Sequence, residues 1–253
     1  MKLPSGQGAP ADAADALSTT LATCSGIRSL SAEIGVSGSA GGQRLRGRLL
    51  VGVAAPDSAR LEAVAPFGPP VFIFVARNDD ATLLLPRDDR VLQHGKPLDV
   101  LEAVAGLPID ARDLLHVLTA CPSSPDAKAA TAFGADWRVV ADAPGATYLR
   151  RDAKSHEWHV VSIVHGTSGD AAWRAEYGAF ERGLPRTVRF ISADGKRFDV
   201  RLALSQVDIN PALGDEAFRV QVPRSAQPVT LEELRRNGRM QRDPNARQGV
   251  REN

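Results

Sequence analysis

The chain lacks any run of about 20 apolar residues, the length a helix needs to cross a bilayer. Its longest uncharged stretch, Ala63 to Ala76, is interrupted by Pro66, Pro69 and Pro70. The residues that follow Met1, including Lys2, Pro4, Ser5, Gly6 and Gly8, form no hydrophobic segment of the secretory type. Thiols are scarce: Cys24 and Cys121 stand far apart, with no zinc spacing and no Cys-x-x-Cys. They read either as two buried thiols or as one long-range disulfide, and an oxidising compartment would favour the bridge. An excess of one charge is also missing. Thirty-one basic and 30 acidic residues leave a net charge of +1. That argues against a broad nucleic-acid surface and against wholesale disorder.

Catalytic signatures are missing as well. His165-Gly166-Thr167-Ser168-Gly169 is not a Gly-x-Ser-x-Gly elbow, and no phosphate-cradling glycine loop follows a strand. Asp79-Asp80 and Asp88-Asp89 read as turn residues rather than an acid–base pair. His156, His159 and His165 invite a metal reading. In a strand, however, the last two would stand about 20 Å apart, and no carboxylate spacing completes a site. The residues point to a protein that is not an enzyme and carries no metal or cofactor.

What is present is a change of period. The 253 residues divide into a linker over 1–11, one domain over 12–238 and an unstructured tail over 239–253. Ala14, Leu17, Leu21 and Cys24 recur at helical spacing before Gly26. In 43–53, Leu45, Leu49, Val51 and Val53 alternate with Arg44, Arg46 and Arg48, the mark of a half-buried strand. Ser29–Gly38 is its hairpin partner across Gly41-Gly42. Short strands follow near 59–65, 71–77, 81–86 and 90–93. Two helices come next: 97–105, which stops at Gly106, and 110–121, capped by Asp110. Strands resume near 136–141, 147–151, 157–165, 171–177, 187–192 and 197–207. A capping box, Thr230 with Glu233, opens a last helix over Leu231–Asn237. Helices grouped inside a long meander indicate an α+β fold, a strongly curved antiparallel sheet or open, incomplete barrel with helices across its open face.

Three segments carry a resemblance. VAPFGPPVFIF (Val64–Phe74) resembles the strand–loop–strand of LolB, the outer-membrane lipoprotein receptor family. DVLEAVAGLPIDARDLLHVLTACP (Asp99–Pro122) is similar to that family's central helix pair. WRAEYGAFERGLPRTVRFISADGKRFDVRLALSQVDIN (Trp173–Asn210) resembles its closing strands. The likeness spans about Ser29 to Asn210. The tail beyond Asn210 is longer than is typical of the family, and no lipidated cysteine precedes Lys2. The wider LolA/LolB class implies an unclosed barrel lidded by helices around a hydrophobic cavity.

The resemblance implies roles. Pro66, Phe67 and Gly68 match a protruding loop that engages the membrane, and Phe67 takes the place of the family's exposed leucine. The alternative is that Phe67 folds back onto the core. The lipid cavity would be lined by Leu45, Leu49, Val51, Leu61, Phe72, Phe74 and Leu83 from strands. Leu101, Val104, Leu114 and Leu118 would come from the lid helices, and Trp137, Trp158, Trp173, Phe190 and Leu202 from later strands. Arg44, Arg46 and Arg48 share one strand face that could meet lipid phosphates or acidic partners, or could simply be solvated. The implied protein is a monomer that receives lipoprotein acyl chains from a periplasmic carrier of the LolA type and inserts them into the inner leaflet of the outer membrane. Its location would be the periplasmic face of that membrane, through a lipid anchor outside this sequence. A soluble periplasmic carrier, or an envelope interaction protein with a filled core, are the alternatives.

Overall fold

The computed structural model describes residues 1–122, 130–142, 145–166, 169 and 171–237. An extended triplet, β1 (Ala9–Ala11), precedes helix α1 (Ala14–Ser25). Six strands follow: β2 (Ser29–Ala40), β3 (Gln43–Ala54), β4 (Ser58–Val64), β5 (Phe72–Arg77), β6 (Asp80–Leu85) and β7 (Arg90–Gly95). Helices α2 (Pro97–Ala105) and α3 (Ala111–Thr119) come next. The second run of strands is β8 (Ala130–Phe133), β9 (Trp137–Asp142), β10 (Gly145–Arg151), β11 (Trp158–His165), β12 (Trp173–Glu181), β13 (Leu184–Ser192) and β14 (Phe198–Ile209). A 3-10 turn (Asp215–Phe218), β15 (Gln227–Pro228) and α4 (Leu231–Asn237) complete the chain.

All these strands belong to one sheet, ordered β1-β8-β9-β10-β11-β12-β13-β14-β2-β3-β4-β5-β6-β7-β15. Two meanders, β2–β7 and β8–β14, are joined where β14 pairs antiparallel with β2, from Phe198–Ala40 to Ile209–Leu30. Among the described residues, only β15 runs parallel to its neighbour, β7. The expected open barrel is therefore a large curved sheet that does not close: β1 and β15 remain its edges.

Local chemistry sets the joints. Gly41 and Gly42, at φ 55° and 77°, form the tight β2–β3 turn where both central residues need the left-handed region. Gly38 lies at φ 134°, and a Cβ there would overlap the Asp199 carbonyl oxygen, so only glycine lets β14 approach β2 at this point. Asp110 caps α3 by accepting from the Arg112 amide at 3.1 Å. Thr230 and Glu233 form the expected capping box, with bonds of 2.9 and 3.2 Å.

The segment 1–11, expected as a linker, carries β1, which pairs with β8 from Ala9–Ala132 to Ala11–Ala130. An Ala-Pro-Ala run has no period to betray a strand. At Gly8 a Cβ would stand 2.6 Å from the Ala132 carbonyl oxygen, so this contact also depends on glycine. Strands β8 and β15 were likewise absent from the sequence pattern. The tail expected over 239–253 lies outside the described residues.

One face of the sheet is covered. Helix α1 lies on β10 and β11, α3 on β3, β4 and β13, and α2 on β6 and α4. Beneath them Leu17, Ile34, Phe74, Leu83, Leu149 and Val200 belong to one buried cluster that spans both meanders. Cys24, at the end of α1, is bonded to Cys121, just past α3, across 97 residues of chain.

Two stability outcomes follow from this packing. Replacing both cysteines by alanine releases a long loop and lowers unfolding free energy by about 2–5 kcal/mol, read by urea denaturation. An unchanged midpoint would mean that the bridge does not constrain the unfolded chain. Phe74 is 0% exposed, so Phe74→Ala costs about 3–5 kcal/mol by the same measurement.

Candidate functional site: an exposed loop beside a buried apolar face

The loop between β4 and β5 covers residues 65–71. Pro66, Pro69 and Pro70 narrow its backbone freedom, and Gly68 turns it at φ 76°. The Val71 amide donates to the Ala63 carbonyl at 2.9 Å and closes the base. Arg87, in the neighbouring β6–β7 turn, holds the crest: Nη2 donates to the Phe67 carbonyl at 3.0 Å and Nε to the Pro69 carbonyl at 3.2 Å. The backbone is thus fixed while the Phe67 ring points into solvent, 88% exposed. The alternative in which the ring folds back onto the core is not the structure adopted. Placing such a ring in an apolar medium is worth about 1.5–3 kcal/mol.

The residues expected to line a cavity are mostly gathered on the covered face. Leu45, Val51, Leu61, Phe72, Phe74 and Leu83 are buried strand residues. Leu101, Val104, Leu114 and Leu118 are buried on α2 and α3, and Trp173 and Phe190 are buried on β12 and β13. Leu49, Trp158 and Leu202 are half-buried and pack against the same cluster. Trp137 stands apart. On β9 it alternates with Val140, which is buried on the inner side, so the ring lies on the outer face with the Arg150 guanidinium 5.4 Å from its centre. A lone tryptophan in an apolar strand gave no sign of which face was inner. The aromatic residues at the seam form a ladder: Trp173–Phe190 at 4.9 Å and Phe190–Phe198 at 5.1 Å.

Two polar groups on the buried face were not visible in the sequence. The hydroxyls of Thr147 and Tyr177 are buried without a hydrogen-bond partner among the described residues. Burial pushes the Tyr177 phenol up, so it remains a neutral donor. Each is a polar handle within an apolar setting, where an unmet hydrogen bond is costly.

Two cavities flank the disulfide. One, of about 700 Å³, lies between Thr19, Thr20 and Thr23 of α1, Trp158 and Phe180 of the sheet, and Arg182 of the β12–β13 turn. The other, of about 490 Å³, is more apolar and lies between Leu21, Ile27, Ala54, Pro56 and Leu115. Cys24 and Thr119 line both. At the polar rim, Asp152 is held below the usual carboxylate range by the amides of Ser155 and Lys154. On α3, burial and then the charge of Asp110 raise Asp113.

The histidines do not converge. His159 stacks on Phe180 at 4.5 Å and His165 on Trp173 at 5.0 Å. Among the described residues, no three His, Cys, Asp or Glu side chains group as a metal site would require. Thr167 and Ser168 lie outside the described residues.

No family model matches the sequence, and no curated protein matches it either. Solved structures do. The LolA superfamily protein NE2245 from Nitrosomonas europaea is similar over 83% of this chain and 98% of its own, at 11% identity and a TM-score of 0.52. A DUF1329 family protein from Desulfovibrio piger is similar over 81% of this chain and 95% of its own, at 11% identity and a TM-score of 0.49. At these identities the likeness is one of architecture, and the first of the two carries it: this chain has a LolA-like fold.

Proposed function

We propose that this protein binds the acyl chains of lipoproteins against its apolar inner face and passes them to a membrane through the Phe67 loop, as a LolB-like receptor. The observation that carries the reading is Phe67, 88% exposed on a loop whose crest Arg87 clamps. Water gives no reason to fix an apolar ring in the open, whereas a lipid phase does. The LolA-like fold and the continuous apolar cluster beneath α1–α3 support the acyl-binding half. Acyl chains gain about 0.8 kcal/mol per buried CH₂, so little polar recognition is needed. The Thr147 and Tyr177 hydroxyls would serve the ester carbonyls that such chains carry. In this reading the cargo comes from a periplasmic carrier of the LolA type, the acceptor is the inner leaflet of the outer membrane, and no covalent step occurs. Direction comes from the difference in affinity between protein and bilayer.

The test is transfer of a labelled triacylated lipoprotein from a carrier to liposomes. Phe67→Glu, at an exposed position, changes stability by no more than about 0.5 kcal/mol. It lowers transfer about tenfold or more while cargo binding persists. Equal transfer by both proteins overturns the loop's role. Cargo binding by the wild type without any delivery makes the protein a soluble carrier instead. A second variant addresses the buried apolar face. Tyr177→Phe removes an unpaired buried hydroxyl, so the protein unfolds at the same or a higher temperature while its affinity for acylated cargo falls. Lost stability with unchanged affinity would mean that the hydroxyl serves the fold alone.

A further inference from the structure

Opposite the helices, the outer face of β2, β3 and β14 carries a basic array that the acyl-binding reading does not use. Arg44, Arg46 and Arg48 alternate with inward residues along β3 and are exposed. Successive members are about 7 Å apart, two strand residues. Register places Arg46 opposite Ser37, and Ser37 opposite Arg201. Arg201 is thus about 10 Å from Arg46, two strand spacings away. The outward positions of the intervening strand, Gly35, Ser37 and Ser39, are exposed and small. They leave a shallow floor between the arginines of β3 and Arg201 of β14.

The acids nearest the arginines are engaged, while the exposed Asp208 lies at the other end of the face, opposite Ser31. Glu33 pairs with Arg48 at 3.0 Å, and Asp199 pairs with Arg189 at 2.6 Å. In the adjacent β13–β14 turn, Asp194 is tied to the Ser192 hydroxyl and the Lys196 amide. Arg44, Arg46 and Arg201 make no ion pair among the described residues. Like charges crowded on a sheet are a liability without a counter-charge. Among the described residues, Arg44 and Arg46 have none within ion-pair distance, and Arg201 shares the field of Asp199 without a direct ion pair, so all three guanidiniums can meet an external anion.

The array also adjoins the Phe67 loop. Arg48 pairs in register with Val64, the last residue of β4. Phe67 lies three residues further on, within about 11 Å of Val64 along the chain. Arg44 and Arg46 continue β3 past that point, toward the same end of the sheet. We propose that Arg44, Arg46 and Arg201, beside Phe67, form a docking surface for the anionic headgroups of a phospholipid membrane. The ring enters the apolar layer and the guanidiniums meet phosphates. One apolar anchor binds a bilayer only marginally, and a basic patch is the second signal that makes docking stable. The inference rests on the delivery reading above, but its test needs no lipoprotein.

The experiment is sedimentation of the full chain at low salt with two vesicle types, phosphatidylcholine alone and phosphatidylcholine mixed with phosphatidylglycerol. Each arginine near an anionic surface contributes about fivefold in binding, so three contribute about 100-fold. The wild type binds the anionic vesicles far more strongly, and the preference fades as salt rises. Arg44→Gln/Arg46→Gln/Arg201→Gln loses the preference and keeps the weak binding to neutral vesicles. Phe67→Glu weakens binding to both. Should the triple variant fold poorly, Arg46→Gln alone costs about fivefold and Arg46→Lys restores most of it. Equal wild-type binding to the two vesicles, or an unchanged preference in the triple variant, overturns the proposal. So does arginine-dependent binding to soluble poly-L-glutamate with none to vesicles, which would assign the face to acidic protein. Loss of lipoprotein transfer with the vesicle preference intact would remove the delivery reading and leave this surface standing.

Discussion

The antiparallel pairing of β14 with β2 is the contact on which the rest of this molecule depends. Each meander is built from neighbours in sequence, but neither can bury its apolar face alone. The seam brings together residues as far apart as Leu30 and Ile209, so its closure carries a long-loop entropy cost that only later contacts offset. Both of its ends are fastened. At one, the Gly41 amide donates to the Arg197 carbonyl at 2.8 Å. At the other, the Asn210 side chain accepts from the Arg28 amide at 2.7 Å and donates to the Gly26 carbonyl at 2.8 Å. Gly38 lets the strands approach closely between these ends. Once the seam forms, Phe198 and Phe190 stack beside it and the two wings share one core. The same pairing sets Arg201 across Ser37 from Arg46, so inner and outer faces are organised by one register.

The disulfide acts on a second level. It does not join strands. It fixes the end of α1, which lies on β10 and β11, to the end of α3, which lies on β3, β4 and β13. Helix α1, on the second meander, is thereby held to α3, which itself bridges the two meanders across the seam. The loop it closes is long, the condition under which a cross-link removes most entropy from the unfolded chain. Because Cys24 lines both flanking cavities, the bridge is also part of the partition between a threonine-rich space and an apolar one.

Period carried most of the fold in the sequence. Helix α2 and the last helix are recovered to the residue, and β3 is announced by its alternation of Leu and Val with Arg. Three strands had no such announcement. Ala9–Ala11, Ala130–Phe133 and Gln227–Pro228 are short edge or near-edge elements whose pairing, not pattern, makes them strands. The site divides in the same way. A phenylalanine in a proline-rich turn was legible as an anomaly, but its orientation was not. That depends on Arg87, 20 residues along the chain and reaching from another turn. Trp137 fell on the wrong side because strand alternation tells two faces apart without naming the inner one. Thr147 and Tyr177 were invisible because a buried hydroxyl is unusual only when its partners are known to be missing.

A delivery protein must bind its target weakly enough to leave. A single exposed phenylalanine supplies about 1.5–3 kcal/mol, which permits rapid escape but gives little discrimination among surfaces. A larger apolar tip would improve retention, yet it would also promote aggregation in water. Adding separate guanidiniums avoids this conflict. Charges remain soluble, they act only near an anionic surface, and salt screens them within about 8–10 Å. Their spacing on a rigid sheet matters as much as their number, since arginines locked in ion pairs would have to give up a partner before meeting a phosphate. The structure separates the two cases on adjacent strands: Arg189 is held by Asp199, while Arg201 opposite it is not. The ring and the free arginines therefore divide the task, one giving depth in the apolar layer and the other giving choice of surface, and neither is strong enough alone to prevent release.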